Sequence, residues 1–411
     1  MAQNQLRREL GLSHTLVTVI GIVIGSGIFA LPAAVFGAAK APGLGLVAWL
    51  VGALVALFAA LTLAELTALF PSAGGAYAYV KEAYGPMLGF LRGWTSLVAY
   101  DSGLIATVAM IFGAFAATLI PGLSGFETGI AATGVLLLTG LNLLGVRYGG
   151  WIQVTATVGK LVPIALLILF GLARMDVANL APLLPAGTGA AGALAAAIPP
   201  VLFAYDGWQQ AGLLAEEVKN PQRNLPLALI FGILTVGVVY TLLNVSLLGV
   251  MPIGQVTAEA KPVVTMAKEL FGTFGGKLIL VGMLVSIFGT LNGLIMTAPR
   301  YYFAMARDGL FPLPALFGRV DPKWGTPVAA TLLSGLVALL FVLTGTFEQV
   351  LTLSMFVSWL FYTLMIVSVF TLRRSRPELK RTYRVPGYPV VPAIALVGAV
   401  WAIWATFLSG P

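Results

Sequence analysis

The chain has 411 residues, of which 59% are hydrophobic and 9% charged, with a formal net charge of +8 and no cysteine. So apolar a composition excludes a soluble globular protein, which would carry far more charge on its surface. The absence of cysteine rules out disulfides, thiolate metal sites and a cysteine nucleophile. With His14 as the single histidine, no metal site and no cofactor is expected.

The apolar residues fall in long continuous blocks. Crossing about 30 Å of hydrocarbon as a helix takes about 20 apolar residues. Eleven blocks qualify, at 13–38, 44–70, 87–119, 127–145, 149–174, 190–214, 225–250, 275–303, 326–344, 348–371 and 389–409, and are numbered here helices 1 to 11. Blocks of this length read as helices, because barrel strands are about ten alternating residues long and no other structure satisfies its backbone in lipid. The first block is too long, and lacks the small-residue cleavage site, to be a signal peptide.

In chain order, helix 1 opens with His14 at its inner end, in an interfacial or capping position, and carries Gly21, Gly25, Ser26 and Gly27 in GIVIGSGIF. Such clustering predicts a discontinuous helix, although Gly21 and Gly25 also have the spacing of a close helix contact. Late in helix 2, Glu65 reads as a structural group at the inner interface. About four turns into helix 3, Asp101 faces either a substrate or cation, or a polar partner. Lys160 lies near the middle of helix 5, too far from either end to snorkel. It reads as a permanent ammonium in place of a metal cation, as a titrating group, or as the ion-pair partner of Asp101 or Asp206. Helix 6 carries Pro199, Pro200 and the run Phe203-Ala-Tyr-Asp-Gly-Trp208, a second predicted break. There Asp206 either faces a cavity or caps the half-helix that follows.

Breaks at the first and sixth helices predict two five-helix repeats of opposite orientation, about 13–174 and 190–371, followed by an extra helix at about 389–409. Substrate then binds near the midplane between the half-helix ends. Amides at Ser26, Gly27 and Ile28 would receive a carboxylate. Unpaired carbonyls at Val23, Ile24, Phe203 and Ala204 would receive an ammonium, and together they describe an α-amino acid.

The basic balance reads as topology, with no nucleic-acid partner. With the N-terminus in the cytoplasm, seventeen of the 23 Lys and Arg fall in inside segments, five lie outside, and Lys160 stands alone within a helix. This distribution obeys the positive-inside rule. A membrane enzyme lacks its nucleophile or metal ligands here, a channel its filter loop or pore rings, and a sensor its soluble signalling domain.

The stretches GIVIGSGIF, AELTALFPSAGGAYAYV, GWTSLVAY, FAYDGW with AEEVKNPQRNLPLAL, NGLIMTAPRYYFAMARDGLFP and YRVPGYPVVP occur in this order. They resemble the amino acid–polyamine–organocation superfamily, and within it the L-type amino acid transporter branch. The resemblance implies an all-α membrane protein with the LeuT-like five-plus-five inverted repeat, in which helices 1 and 6 rock against helices 3, 4, 8 and 9. It implies that Ser26 and Gly27 meet the substrate carboxylate, that Phe203 is an aromatic gate, and that Lys160 replaces sodium. Members with aspartate at the position of Asp206 include carriers of cationic as well as neutral amino acids.

Two departures matter. Family members usually have twelve helices where eleven are read here, ending at Ser-Gly-Pro. Animal relatives are also tethered by a disulfide to an ancillary subunit, a tether this cysteine-free chain cannot make. The expectation is therefore a sodium-independent exchanger of small L-amino acids in the cytoplasmic (inner) membrane, with lipids as its surroundings and no disulfide-linked subunit. The rival readings are a proton-coupled symporter, with Lys160 or Asp101 titrating, and a polyamine or cationic amino-acid antiporter.

Overall fold

The computed structural model describes residues 6–187, 189–345 and 347–409. Gly410 and Pro411, at the end of the chain, lie outside the described residues. The fold is all-helical: among the described residues there is no strand, only an isolated bridge between Leu10 and Val218. Among the described residues, seven helices are long and apolar enough to cross a membrane, and the bent pair Leu12–Val23 and Gly27–Ala39 makes an eighth if counted as one span. Three shorter apolar helices, at Glu127–Leu143, Val328–Thr344 and Val390–Ser409, occupy the fourth, ninth and eleventh apolar blocks.

The observed helices keep the block numbers. Helix 1 is divided into 1a (Leu12–Val23) and 1b (Gly27–Ala39). Helix 2 is Pro42–Leu69, helix 3 Pro86–Leu119, helix 5 Val146–Ala173, helix 7 Pro221–Val250 and helix 10 Phe347–Ser375. Three helices depart from the sequence reading. Helix 8 begins at Pro262, runs to Thr297 across a non-helical Gly272, and is followed by Pro299–Arg307. Lys268 and Glu269 interrupt the apolar pattern of its first turns, so the continuous apolar block starts later than the helix. Helix 3 contains a π-helical run, Ser96–Tyr100, a form that periodicity does not reveal. Helix 6 is α-helical only over Ala190–Ala204 and resumes as a 3-10 run, Trp208–Leu214.

Packing separates the helices into two groups. Helix 7 lies along helix 2 and against helix 1a, and helix 1b lies against helix 6. Helices 3, 4, 8 and 9 pack together, and helix 5 touches helices 1a, 7 and 8. The seam between helices 1a and 5 depends on Gly21, where an added Cβ would lie 2.2 Å from the Thr157 hydroxyl. That contact supports the close-packing reading for Gly21, which sits inside helix 1a and not in the break.

The end of the molecule where helices 2, 8 and 10 finish is laced with ion pairs. Glu65 accepts from Arg373 and from the Val385 amide and has Arg381 within 3.4 Å, as a structural group at that interface should. Lys81 pairs with Asp308, Arg307 with Glu216, and Arg376 with Glu82. Two of the arginines counted in inside segments, Arg92 and Arg300, are buried within the protein. Arg300 forks onto Glu217 at 3.0 and 2.7 Å. Arg92 lies over the rings of Tyr100, Tyr301 and Phe361.

Candidate functional site

Helix 1 unwinds between Val23 and Gly27, and its two halves meet at 46°. The Gly25 amide turns back onto the Val23 carbonyl at 2.8 Å, while Phe29 and Ala30 bond to the Ser26 carbonyl. The first amides of a helix have no acceptor within it. Among the described residues, no backbone carbonyl accepts from Ser26, Gly27 or Ile28. The second break follows Ala204, where Gly207 adopts φ 106°, a conformation that glycine takes without steric cost. Its missing side chain also makes room for Ile22, whose Cγ2 would lie 2.8 Å from a Cβ there.

A cavity of about 60 Å³ lies between the breaks. Its walls are Ile22, Val23, Gly25, Ser26 and Gly27 from the first break, Phe203, Ala204, Asp206 and Gly207 from the second, Leu104 and Val108 from helix 3, and Thr290 and Leu294 from helix 8. Of the ten residues singled out in the sequence, six line this space: Val23, Ser26, Gly27, Phe203, Ala204 and Asp206. Ile24 and Ile28 are buried beside it, and Lys160 and Asp101 stand apart from the lining.

The carbonyls before the breaks are not unpaired, which corrects the expectation for Val23, Ile24, Phe203 and Ala204. Lys160 Nζ donates to Gly21 O at 2.7 Å, Ile24 O at 2.6 Å and Ser286 O at 3.0 Å. Ser286 Oγ adds a second bond to Ile24 O, and Thr290 Oγ1 contacts Gly21 O and Ser286 O. The Tyr240 hydroxyl lies 2.9 Å from Val23 O and 3.1 Å from Ala204 O, so one proton bridges the two breaks. Phe203 O accepts from the Asp206 amide. The physical reason is burial: a carbonyl released by unwinding in an apolar interior must find a donor or lose about 1–3 kcal/mol.

The ion pair considered for Lys160 is likewise absent. Its ammonium has three protons and three carbonyl acceptors, and neither aspartate is among them. Asp101 accepts from Ser96 Oγ at 2.5 Å and Gln210 Nε2 at 2.7 Å. It is enclosed in a polar cluster between helices 3 and 6 and is not a cavity wall. The π-helical run beside it places Ser96 next to Asp101, a juxtaposition that regular α-helical spacing would not suggest.

Asp206 fulfils both of its readings in part. Its carboxylate lines the cavity, and Oδ1 accepts from the Gly207 amide at 2.8 Å, although it caps none of the 3-10 amides beyond. Oδ1 also takes a short hydrogen bond from the Tyr362 hydroxyl. Tyr100 stands 3.5 Å from Oδ2 and 3.1 Å from the Tyr362 oxygen, and receives a bond from Gln209 Nε2.

Sequence reasoning missed the walls from helices 3 and 8, and the two tyrosines, Tyr240 and Tyr362, that organise the site. Leu104 and Val108, like Thr290 and Leu294, are spaced four apart and so share a helix face. That spacing is common to many positions in apolar helices and singles out none.

The comparisons with known proteins agree with one another. A family model described as amino acid permease matches residues 10–411. The serine/threonine exchanger SteT of Bacillus subtilis is 38% identical over 387 residues, which cover 94% of this chain and 88% of that protein. The b(0,+)-type amino acid transporter 1 of Oryctolagus cuniculus is 33% identical, with 92% and 79% covered. The large neutral amino acids transporter small subunit 2 of Mus musculus is 31% identical, with 92% and 73% covered.

Proposed function

The chain belongs to the amino acid permease family, and on that premise we propose that it exchanges small neutral L-amino acids across the cytoplasmic membrane without sodium. It is a multi-pass membrane carrier and not an enzyme, as its family and relatives are. The observation that carries the substrate reading is the cavity between two helix breaks, lined by Ser26 and Gly27, whose amides, like that of Ile28 beside them, are filled by no carbonyl. Those amides sit at the positive end of helix 1b, where a carboxylate is favoured. Opposite them, the Val23 and Ala204 carbonyls share one tyrosine proton. Each carbonyl has two lone pairs; Val23 O gives its second to the Gly25 amide, so acceptor capacity for a substrate ammonium is left on Ala204 O. A cavity of about 60 Å³ suits a short side chain.

Independence from sodium rests on Lys160. Its ammonium binds carbonyls of both helix 1 and helix 8, where unwound backbone would otherwise coordinate a cation. All three of its protons are used. A neutral amine would present a lone pair to one of three carbonyl oxygens, so this arrangement suits the charged form of Lys160. A polyamine has no carboxylate for the Ser26–Ile28 amides, which disfavours that alternative.

In this reading residues 13–174 and 190–371 form inverted repeats, the N-terminus is cytoplasmic, and helices 1 and 6 rock against helices 3, 4, 8 and 9. One relative is named a small subunit. A chain without cysteine cannot hold a partner by a disulfide, and we propose that this one works without such a tether. The test is counterflow: purified protein in sodium-free liposomes preloaded with serine, taking up labelled serine. Exchange that needs internal substrate and ignores sodium supports the proposal. Uptake into empty vesicles driven by a pH gradient overturns it in favour of proton symport. Ser26→Leu fills the carboxylate site and is expected to abolish exchange; normal exchange by that variant removes the assigned site.

A further inference from the structure

We infer that Tyr362 is a specificity-determining residue. By occupying Asp206 Oδ1, its hydroxyl converts a carboxylate that would attract arginine into a single-acceptor wall that selects a side-chain hydroxyl. The inference rests on the amino-acid exchange proposed above and deepens it.

The argument is an account of protons and lone pairs. Asp206 lines the cavity. Of its two oxygens, Oδ1 is taken by the Gly207 amide and by the Tyr362 hydroxyl. Tyr362 therefore spends its one proton on Asp206 and leaves its oxygen as an acceptor. Tyr100 accepts from Gln209, and its own proton lies nearer to the Tyr362 oxygen, at 3.1 Å, than to Asp206 Oδ2, at 3.5 Å. Oδ2 is thus the carboxylate oxygen left with acceptor capacity.

A guanidinium recognises a carboxylate by two parallel hydrogen bonds to its two oxygens. With Oδ1 saturated, that fork has no second seat. One donor on a short side chain, the hydroxyl of a β-hydroxy amino acid, needs only Oδ2.

The Tyr362 ring is held independently of the carboxylate. It stacks on Trp208 with centroids 5.7 Å apart and meets Trp359 edge-on at 5.4 Å. Tyr362→Phe therefore keeps the packing and removes only the hydroxyl.

Tyr362 acts through Asp206 and is a positioning residue, so the test reads a ratio that a general structural defect would not change. Counterflow of labelled serine is measured with unlabelled serine, alanine and arginine as competitors, in the wild type and in Tyr362→Phe. The wild type is expected to prefer serine to alanine and to ignore arginine. In Tyr362→Phe the ratio of half-inhibiting arginine to serine is expected to fall by about tenfold or more, the worth of one charge-assisted hydrogen bond. The added substitution Asp206→Asn should cancel that gain. Should Tyr362→Phe not transport, ligand-induced shifts in the thermal unfolding of the purified variant yield the same ratio. An unchanged arginine-to-serine ratio, by either readout, overturns the inference and leaves the exchange function standing. A wild type that exchanges no amino acid overturns both.

Discussion

Replacing Lys160 with methionine keeps most of the side-chain volume and removes the ammonium. Three bonds are lost, to Gly21 O, Ile24 O and Ser286 O. Hydrogen bonds to charged groups contribute about 1.5–3 kcal/mol each. The three carbonyls are not fully orphaned, because Ser286 Oγ still serves Ile24 O and Thr290 Oγ1 still lies within 3.2 Å of the other two. Taking the low end for each bond gives about 4–5 kcal/mol, roughly a thousandfold in the population of the unwound geometry. Lys160→Met is therefore expected to unfold at a markedly lower temperature in detergent and to lose serine counterflow. Lys160→Ala vacates space as well as charge. It leaves three carbonyls and two hydroxyls facing one another, a set of hard oxygen donors suited to a small cation, so added sodium should recover part of the lost thermal stability. Lys160→Met that melts with the wild type and exchanges within twofold of it would refute the assignment of Lys160 as the clasp of the first break.

Two further outcomes follow from the same accounting. Tyr240→Phe removes the proton shared by Val23 O and Ala204 O at a cost of about 1–2 kcal/mol. Exchange should slow several-fold, with a small drop in melting temperature; a variant as fast as wild type would show that this bridge does not couple the breaks. Glu217→Gln strands Arg300 in a buried site and should cost about 3–5 kcal/mol, more than the double variant Glu217→Leu with Arg300→Met, which removes both charges. Thermal unfolding of the three proteins checks that order, and a double variant less stable than the single one would contradict it.

At the end where helices 2, 8 and 10 finish, Tyr77 lies outside the spanning segments. Burial, followed by its bond to Asp308, pushes its hydroxyl well above the ordinary phenol range. It therefore stays protonated, and the contact among Tyr77, Asp308 and Lys81 should not titrate on its account under physiological conditions.

Much of the fold was legible because its determinants are local. Each apolar block is long enough to demand a helix, whatever packs against it. The glycines of GIVIGSGIF and the Pro199–Gly207 segment mark weak points in any helix that contains them. For the same reason Ser26, Gly27, Phe203, Ala204 and Asp206 could be named as neighbours of one cavity. Matched breaks in two helices bring their unwound segments together if the helices pack, and in the structure helix 1b packs on helix 6.

Pairing between distant residues was not legible, because hydrogen-bond partners are chosen by proximity in space. Lys160 read as a fixed cation, a titrating group or an ion-pair partner, and the three carbonyls around it exclude the ion pair. Asp101 read either as a substrate- or cation-facing group or as the partner of another polar group, and the packing of Ser96 and Gln210 around it decides for the second. The carbonyls before the breaks read as open because the sequence shows where a helix unwinds but not which donors arrive. Tyr240 and Tyr362 are ordinary aromatic residues within apolar helices, and only the packing of helices 7 and 10 against the breaks brings their hydroxyls to the site. Composition and local backbone preference determined that this chain is a bundle of helices with two broken members. The tertiary structure decided which polar groups the breaks expose and which they satisfy, because in an apolar interior every freed donor or acceptor takes the nearest partner the packing supplies.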